Sequence, residues 1–181
     1  RQKNLPLLLE AFARIARPGD RLTIAGEGPE RGAIERRVAE LGLSESVALP
    51  GHVADVRPLL DAADALALSS DYEGVPAAIV EALAAGRPVA ATDCCASMPW
   101  LLGDGAFGAL ARPGDAESLA LAMERAAAMA PPAAEMRRFC ALFTLGKAAP
   151  AYLAAMQALV ERSAAFRSAT GHTRKDRAAP C

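Results

Sequence analysis

The stretch "ALALSSDYEGVPAAIVEALAAGRPVAAT" (residues 65–92) decides the architecture. Ala65 to Ser70 is a continuous apolar run closed by two serines, as expected of a strand buried on both faces. Pro76 then stands in the favoured first-turn position of a helix that reaches Ala85. Arg87 to Thr92 is a second strand of the buried type. Strand, polar loop, helix and strand in immediate succession make a βαβ unit, in which the two strands run parallel beneath a crossing helix.

Working outward, the same alternation continues on both sides. The opening "RQKNLPLLLEAFARIARPGD" (residues 1–20) is helical from its start, with Leu8, Leu9, Phe12 and Ile15 on one face and Lys3 in the first turn. It begins without a Met or a preceding strand, in mid-pattern, as a piece of something longer would. Arg21 to Ala25 is a short β-rich run, followed by the turn "GEGPE" (residues 26–30) and a charged amphipathic helix from Arg31 to Leu41 that Gly42 stops. Ser46 to Gly51 reads as a strand and Val56 to Ala63 as a short helix. Gly108 to Ala111 is the last strand, before a helix from Ala116 to Ala128 capped near Asp115. The fold class is therefore α/β: a Rossmann-like, doubly wound parallel sheet followed by C-terminal helices. From Pro131 the pattern is purely helical, with Leu153, Met156, Leu159 and Val160 forming an apolar stripe. One domain is expected over residues 1–163, and a disordered tail over 164–181 where periodicity is lost.

The totals narrow the class of function. The 181 residues carry a net charge of -1, so nothing general draws the chain to nucleic acid or to an acidic lipid surface. Aromatic residues make up 4% of the chain, which leaves little for base stacking along a single strand. Cys94, Cys95, Cys140 and Cys181 form neither a disulfide framework nor a zinc site, and read as idle thiols in a reducing compartment. With no apolar run long enough to span a bilayer and no signal peptide at the start, the chain reads as cytoplasmic.

In a doubly wound sheet, ligands lie at the carboxyl ends of the strands, so the loops after them hold the candidates. "SSDYEGVP" (residues 69–76) sets Gly74 before a helix start whose free N–H groups and dipole suit an anion. Beside such a site Glu73 repels the ligand unless it accepts hydrogen bonds from a neutral polyol; otherwise it is a helix-flanking acid that favours the dipole. Glu81 lies just over one turn into the same alanine-rich helix, either facing solvent or reaching a ligand at its N-terminus. Two carboxylates at the ends of one ligand suit two vicinal hydroxyl pairs. In "GEGPE", Gly28 lets backbone approach a ligand closely, although a tight turn needs no ligand. Lys3 is a solvated surface lysine unless the helix start faces the same cleft, where it would neutralise phosphate. His52 follows a strand end without a base or nucleophile partner, and His172 lies in the tail. No Ser-His-Asp arrangement and no metal-ligand cluster is present.

Several segments together resemble a known family. "QKN" (Gln2 to Asn4), "LTIAGEGPERGAIE" (Leu22 to Glu35), "VALPGHV" (Val47 to Val53), "DYEGVPAAIVEALAAGRPVAATD" (Asp71 to Asp93) and "GALARPGDAESLALAM" (Gly108 to Met123) are similar to the C-terminal, donor-binding half of retaining family 4 glycosyltransferases. The resemblance covers about residues 1–130 in order, with the glutamate motif its most specific element. It implies one half of a GT-B fold, in which two Rossmann-like domains face each other across a cleft.

By that resemblance Lys3 would hold the donor diphosphate and Glu73 would contact the transferred sugar, with the backbone of Gly74 and Val75 nearby. Glu81 would bind the ribose hydroxyls, and Val53 and Arg57 would sit at the nucleobase. The donor would be a UDP- or GDP-linked sugar, its hexosyl group passing to an acceptor hydroxyl with retention of configuration and without a bound metal or other cofactor. The acceptor would be a glycan, lipid or small molecule held by a missing N-terminal domain, through which the whole protein would associate peripherally with a membrane. The chain departs from the family in three places. The arginine that precedes the lysine is absent, "CCASMPWLL" (Cys94 to Leu102) replaces a glycine-rich loop, and Trp100 stands where a glutamate is usual. These departures keep other readings open: a non-catalytic nucleotide-sugar-binding module, or a GT-B-fold epimerase or phosphorylase.

Overall fold

A computed structural model of the chain describes residues 2–170, with side chains through residue 166. Helix α1 (Leu5–Ile15) opens on Asn4, whose φ of 43° is left-handed and whose side chain accepts from the Leu7 N–H at 3.3 Å. Asparagine tolerates that backbone and satisfies one of the orphan donors of the first turn. Lys3 consequently lies in a turn ahead of the helix, not in its opening turn. Strand β1 (Leu22–Ala25) follows, then α2 (Arg31–Glu40) and β2 (Val47–Gly51). Gly42 stops α2 as expected: its φ of 69° lets the Leu43 N–H turn back to the Val38 carbonyl at 2.9 Å.

The remaining elements are α3 (Arg57–Ala62), β3 (Leu66–Leu68), α4 (Ala77–Ala84), β4 (Val89–Thr92), α5 (Met98–Leu101), β5 (Gly108–Ala111), α6 (Ala116–Ala127), α7 (Ala133–Cys140) and α8 (Leu145–Thr170). Pro76 stands just ahead of α4, not in its first turn, and makes no side-chain capping bond. The Asp115 side chain caps α6 by accepting from the Ser118 N–H at 2.8 Å. α5 sits inside the segment expected to be a loop.

All strand pairs are parallel, and they form two sheets, β1–β2 and β3–β4–β5. β1 is not hydrogen-bonded to β3, yet both rest on one apolar cluster. Leu7 and Leu8 of α1 meet Leu119, Ala120, Ala122 and Ala126 of α6 there, with Leu22 and Ile24 of β1 and Ala65 and Ala67 beside them. A second cluster joins Leu9 and Phe12 of α1 to Ile34 and Val38 of α2. β4 is in contact with α6 and with α4, and α4 packs in turn on α7. This is the doubly wound arrangement expected.

Burial separates the strands the sequence reads alike. All four residues of β4 are buried, because β4 has a strand on each side and is packed by helices. β3 has a partner on one side only and is partly buried. Gly108 explains how β5 comes so close to β4: a Cβ there would collide with the Val89 carbonyl oxygen, so no larger residue fits without moving a strand.

One compact unit ends at Cys140 and a second begins at Ala141. Helix α8 runs on to Thr170, so the tail expected from 164 starts with helix; residues 171–181, including His172 and Cys181, lie outside the described residues. Among the described residues no single helix is long and apolar enough to cross a membrane.

Candidate functional site

Because every pair is parallel, the loops following the strands emerge at one edge of each sheet. The loop after β3 is the best-anchored of them. Ser69 and Ser70 are buried, and Ser70 gives its carbonyl to the Oγ1 of Thr92, itself fully buried at the end of β4, at 2.6 Å. A buried hydroxyl needs such a partner, so the pair of serines that closes β3 is held in place by the neighbouring strand.

The turn before α1 is bound to this loop along its length. The Asp71 N–H donates to the Gln2 carbonyl at 2.9 Å, and Gln2 Nε2 donates to the Tyr72 carbonyl at 2.9 Å. Ser69 Oγ donates to the Lys3 carbonyl at 2.8 Å, and Asn4 Nδ2 donates to Asp71 Oδ1 at 2.7 Å. Asn4 therefore does two things: it caps α1 and ties the helix to the loop.

At the centre, Lys3 Nζ donates to Glu73 Oε1 at 2.6 Å, and Ser70 Oγ donates to the same oxygen at 2.7 Å. Burial pushes the Glu73 carboxyl up. The hydrogen bonds from Lys3 and Ser70 and the ammonium charge outweigh it, leaving the group below its ordinary value of 4.5. Glu73 is 9% exposed and ionised, whereas the Lys3 side chain is 56% exposed. Among the described residues Glu73 Oε2 accepts no hydrogen bond, and Lys3 directs only one of its N–H groups to a partner. A cation and an acceptor oxygen thus stand side by side with spare bonding capacity, next to the start of α4.

The other expected residues are less tightly placed. Gly74 and Val75 are exposed between Glu73 and α4. The Gly74 carbonyl accepts from Ser97 Oγ at 3.0 Å. Glu81 is exposed on α4 and its side chain makes no hydrogen bond or ion pair among the described residues; the structure does not join it to Lys3 or Glu73. Val53 is half-buried after β2. Arg57 is exposed, with its N–H on Asp55 Oδ1 at 2.9 Å. Gly28 is exposed in the loop after β1, where its carbonyl accepts from the Arg31 N–H at 3.1 Å. His52 is exposed beyond β2. Trp100 is half exposed and meets Phe139 edge-on at 4.9 Å, so this departure from the family pattern packs on α7.

Sequence reasoning missed Gln2, Asn4, Ser70 and Asp71 as parts of the site. Only Asn4 carried a local signal, as a helix-cap residue ahead of an apolar run. Gln2 and Asp71 act through contacts nearly seventy positions apart in the chain, and Ser70 reaches Glu73 across three residues of a loop with no periodic pattern. Among the described residues no cluster of three or more His, Cys, Asp or Glu side chains is placed to hold a metal ion.

Residues 1–128 match the family described as glycosyl transferases group 1. The chain belongs to that family. It is 36% identical over 124 residues to the lipopolysaccharide core biosynthesis glycosyltransferase LpsE of Rhizobium meliloti, a match covering 68% of this chain and 36% of LpsE. Among solved structures it is similar to Anabaena HepE in complex with UDP, at 26% identity and a TM-score of 0.67, covering 77% of this chain and 40% of HepE. It is also similar to sucrose-phosphate synthase from Thermosynechococcus elongatus, at 28% identity and a TM-score of 0.74, covering 90% of this chain and 43% of that one. This group 1 chain therefore spans less than half the length of each of these relatives, and its fold is that of their GT-B glycosyltransferase structures.

Proposed function

We propose that this chain is the donor-binding half of a retaining GT-B glycosyltransferase, which holds a nucleoside diphosphate sugar and passes its hexosyl group to an acceptor hydroxyl. The observation that carries the reading is the Lys3–Glu73–Ser70 cluster at the carboxyl end of β3, with Glu73 Oε2 and the remaining Lys3 N–H groups unengaged among the described residues. Lys3 takes a diphosphate oxygen and Glu73 Oε2 accepts from the sugar hydroxyls. The backbone of Gly74 and Val75, before the N-terminus of α4, adds donors and dipole to the departing charge. Transfer runs through an oxocarbenium-like state, and stabilising the leaving diphosphate is the main contribution of these residues.

Glu81 takes the ribose hydroxyls. Val53 and Arg57 sit at the base, and Gly28 lets the loop after β1 come close to the donor. UDP in the HepE complex favours a uridine donor over a guanosine one. The LpsE name favours a growing saccharide as acceptor, bound by the part of the protein that these 181 residues do not span. On that account the chain binds donor and does not transfer it by itself.

Calorimetric titration of the chain with UDP, GDP and their glucose conjugates tests the reading. Binding that weakens in Glu81→Ala is expected. No heat with any of the four, or the same affinity after the substitution, sinks the site assignment.

A further inference from the structure

Two free thiols follow one another after β4, and one of them, Cys95, braces the loop that carries Glu73. β4 ends at Thr92, the chain turns with the Cys94 N–H on the Thr92 carbonyl at 2.8 Å, and Cys95 follows. Cys95 Sγ lies 3.5 Å from the Gly74 carbonyl oxygen and 3.1 Å from Ser97 Oγ. Ser97 Oγ donates to that same carbonyl at 3.0 Å. One carbonyl, adjacent in the chain to Glu73, thus joins the loop after β3 to the loop after β4. Cys94 and Cys95 are half-buried and reach solvent, whereas Cys140 is buried with its thiol on the Val80 carbonyl. Burial pushes the Cys94 thiol up, against a hydrogen bond from Thr92, and the neighbouring Cys95 and Glu73 push it in the same direction as burial.

We propose that Cys94 and Cys95 are a reversible modification site, which a low-molecular-weight disulfide converts to a vicinal disulfide, releasing the Gly74 carbonyl from Cys95. The Cys95 thiolate attacks one sulfur of the reagent R–S–S–R, forming Cys95–S–S–R and expelling one thiolate. Cys94 sulfur, losing its proton to solvent, then attacks Cys95 sulfur and expels the second thiolate. The two protein thiols are oxidised by two electrons, the reagent disulfide is reduced, and two R–SH leave. Adjacent Cα atoms are about 3.8 Å apart, short of the roughly 4.4–6.8 Å that a disulfide prefers. The closed ring is strained, and strain makes it easy to reduce, which suits a reversible event and not a structural staple. Closure removes the Cys95 S–H donor and turns its sulfur toward Cys94, leaving Ser97 alone on Gly74.

The effect on donor binding rests on the function proposed above; the thiol chemistry and the release of Gly74 do not. The test treats the isotope-labelled chain with glutathione disulfide and follows intact mass, peptide mapping, and the carbonyl-carbon NMR shift of Gly74, the acceptor that closure releases. A product two hydrogens lighter with Cys94 linked to Cys95, and a move of the Gly74 carbonyl signal that dithiothreitol reverses, is the expected result. Cys94→Ser should stop at the mixed disulfide on Cys95, with the same signal reported beside it as the control for a bulky adduct. A mixed disulfide that persists in the unsubstituted chain, a link to Cys140 or Cys181, or an unchanged Gly74 signal after closure overturns the proposal. A separate titration compares UDP-glucose binding before and after closure, with affinity expected to fall about tenfold, the scale of one misplaced hydrogen bond. If the reduced chain binds no donor, the functional reading fails while mass and the Gly74 carbonyl signal still decide the thiol pair.

Discussion

Glu73 and Glu81 are the same side chain on one loop and helix, and the fold treats them in opposite ways. Glu73 is drawn under Lys3 and Ser70, nearly covered, and held ionised. Glu81 stands in solvent on α4 with no partner among the described residues. On the function proposed above, the acid already paired within the fold would lend its spare oxygen to the donor, and the acid left free would serve only when the donor arrives. The first should then have a measurable effect on stability, and the second an effect on affinity alone.

Replacing residues on each side breaks this contrast open. The largest effect is expected from Lys3→Met, which removes the cation proposed to face the diphosphate: UDP-glucose affinity by calorimetry should fall about a hundredfold, the size of a lost charge-assisted bond. A change under threefold would detach Lys3 from the donor. Next, Glu73→Ala leaves the Ser70 hydroxyl and the Lys3 ammonium without their acceptor, and should cost about 1–2 kcal/mol in urea unfolding. Glu81→Ala should be within about 0.5 kcal/mol of the parent in the same measurement. Equal costs for the two would erase the contrast.

Affinity should reverse the order of interest, with Glu81→Ala weakening donor binding about tenfold while leaving the fold intact. A double-mutant cycle gives a smaller signal. Lys3 with Glu73 should couple by about 0.5–1 kcal/mol, since half of the pair is open to solvent, and Lys3 with Glu81 by nothing measurable in the absence of donor.

The pH dependence has a definite sign. Glu73 is shifted down on folding from 4.5, so its contribution is complete well above that value and is lost as pH falls through the lower folded one. The stability difference between the parent and Glu73→Gln should therefore close as pH drops from 7 to about 3. A gap that widens toward acid would reverse the assignment.

The alternation of elements was legible because the chain punctuates them. Gly42 ends α2 at a left-handed position, Asp115 caps α6, and Arg87 to Thr92 reads as a buried-type strand. The division of the sheet was not, since a strand's sequence does not say which edge lacks a neighbour. β3 and β4 look alike on paper, and only β4 is enclosed. Within the site, the residue types alone left Lys3 open as a surface lysine and Glu73 as a helix-flanking acid, and the family resemblance put them on the diphosphate and the transferred sugar of one donor. Their bond, and the parts played by Gln2 and Asp71, arise only when the turn before α1 lies along the loop after β3.

By itself, then, the sequence determined which residues are able to act. A helix start after Gly74, two acids in register with it and a run of buried strands follow from backbone preferences and hydrophobic period, which are local. The tertiary structure alone decided which acid is engaged. An ion pair between positions 3 and 73 forms only where packing of α1 on the strands has already brought the two segments together. That packing also absorbs the ordering entropy, so Lys3 and Glu73 meet without having to hold the chain there themselves.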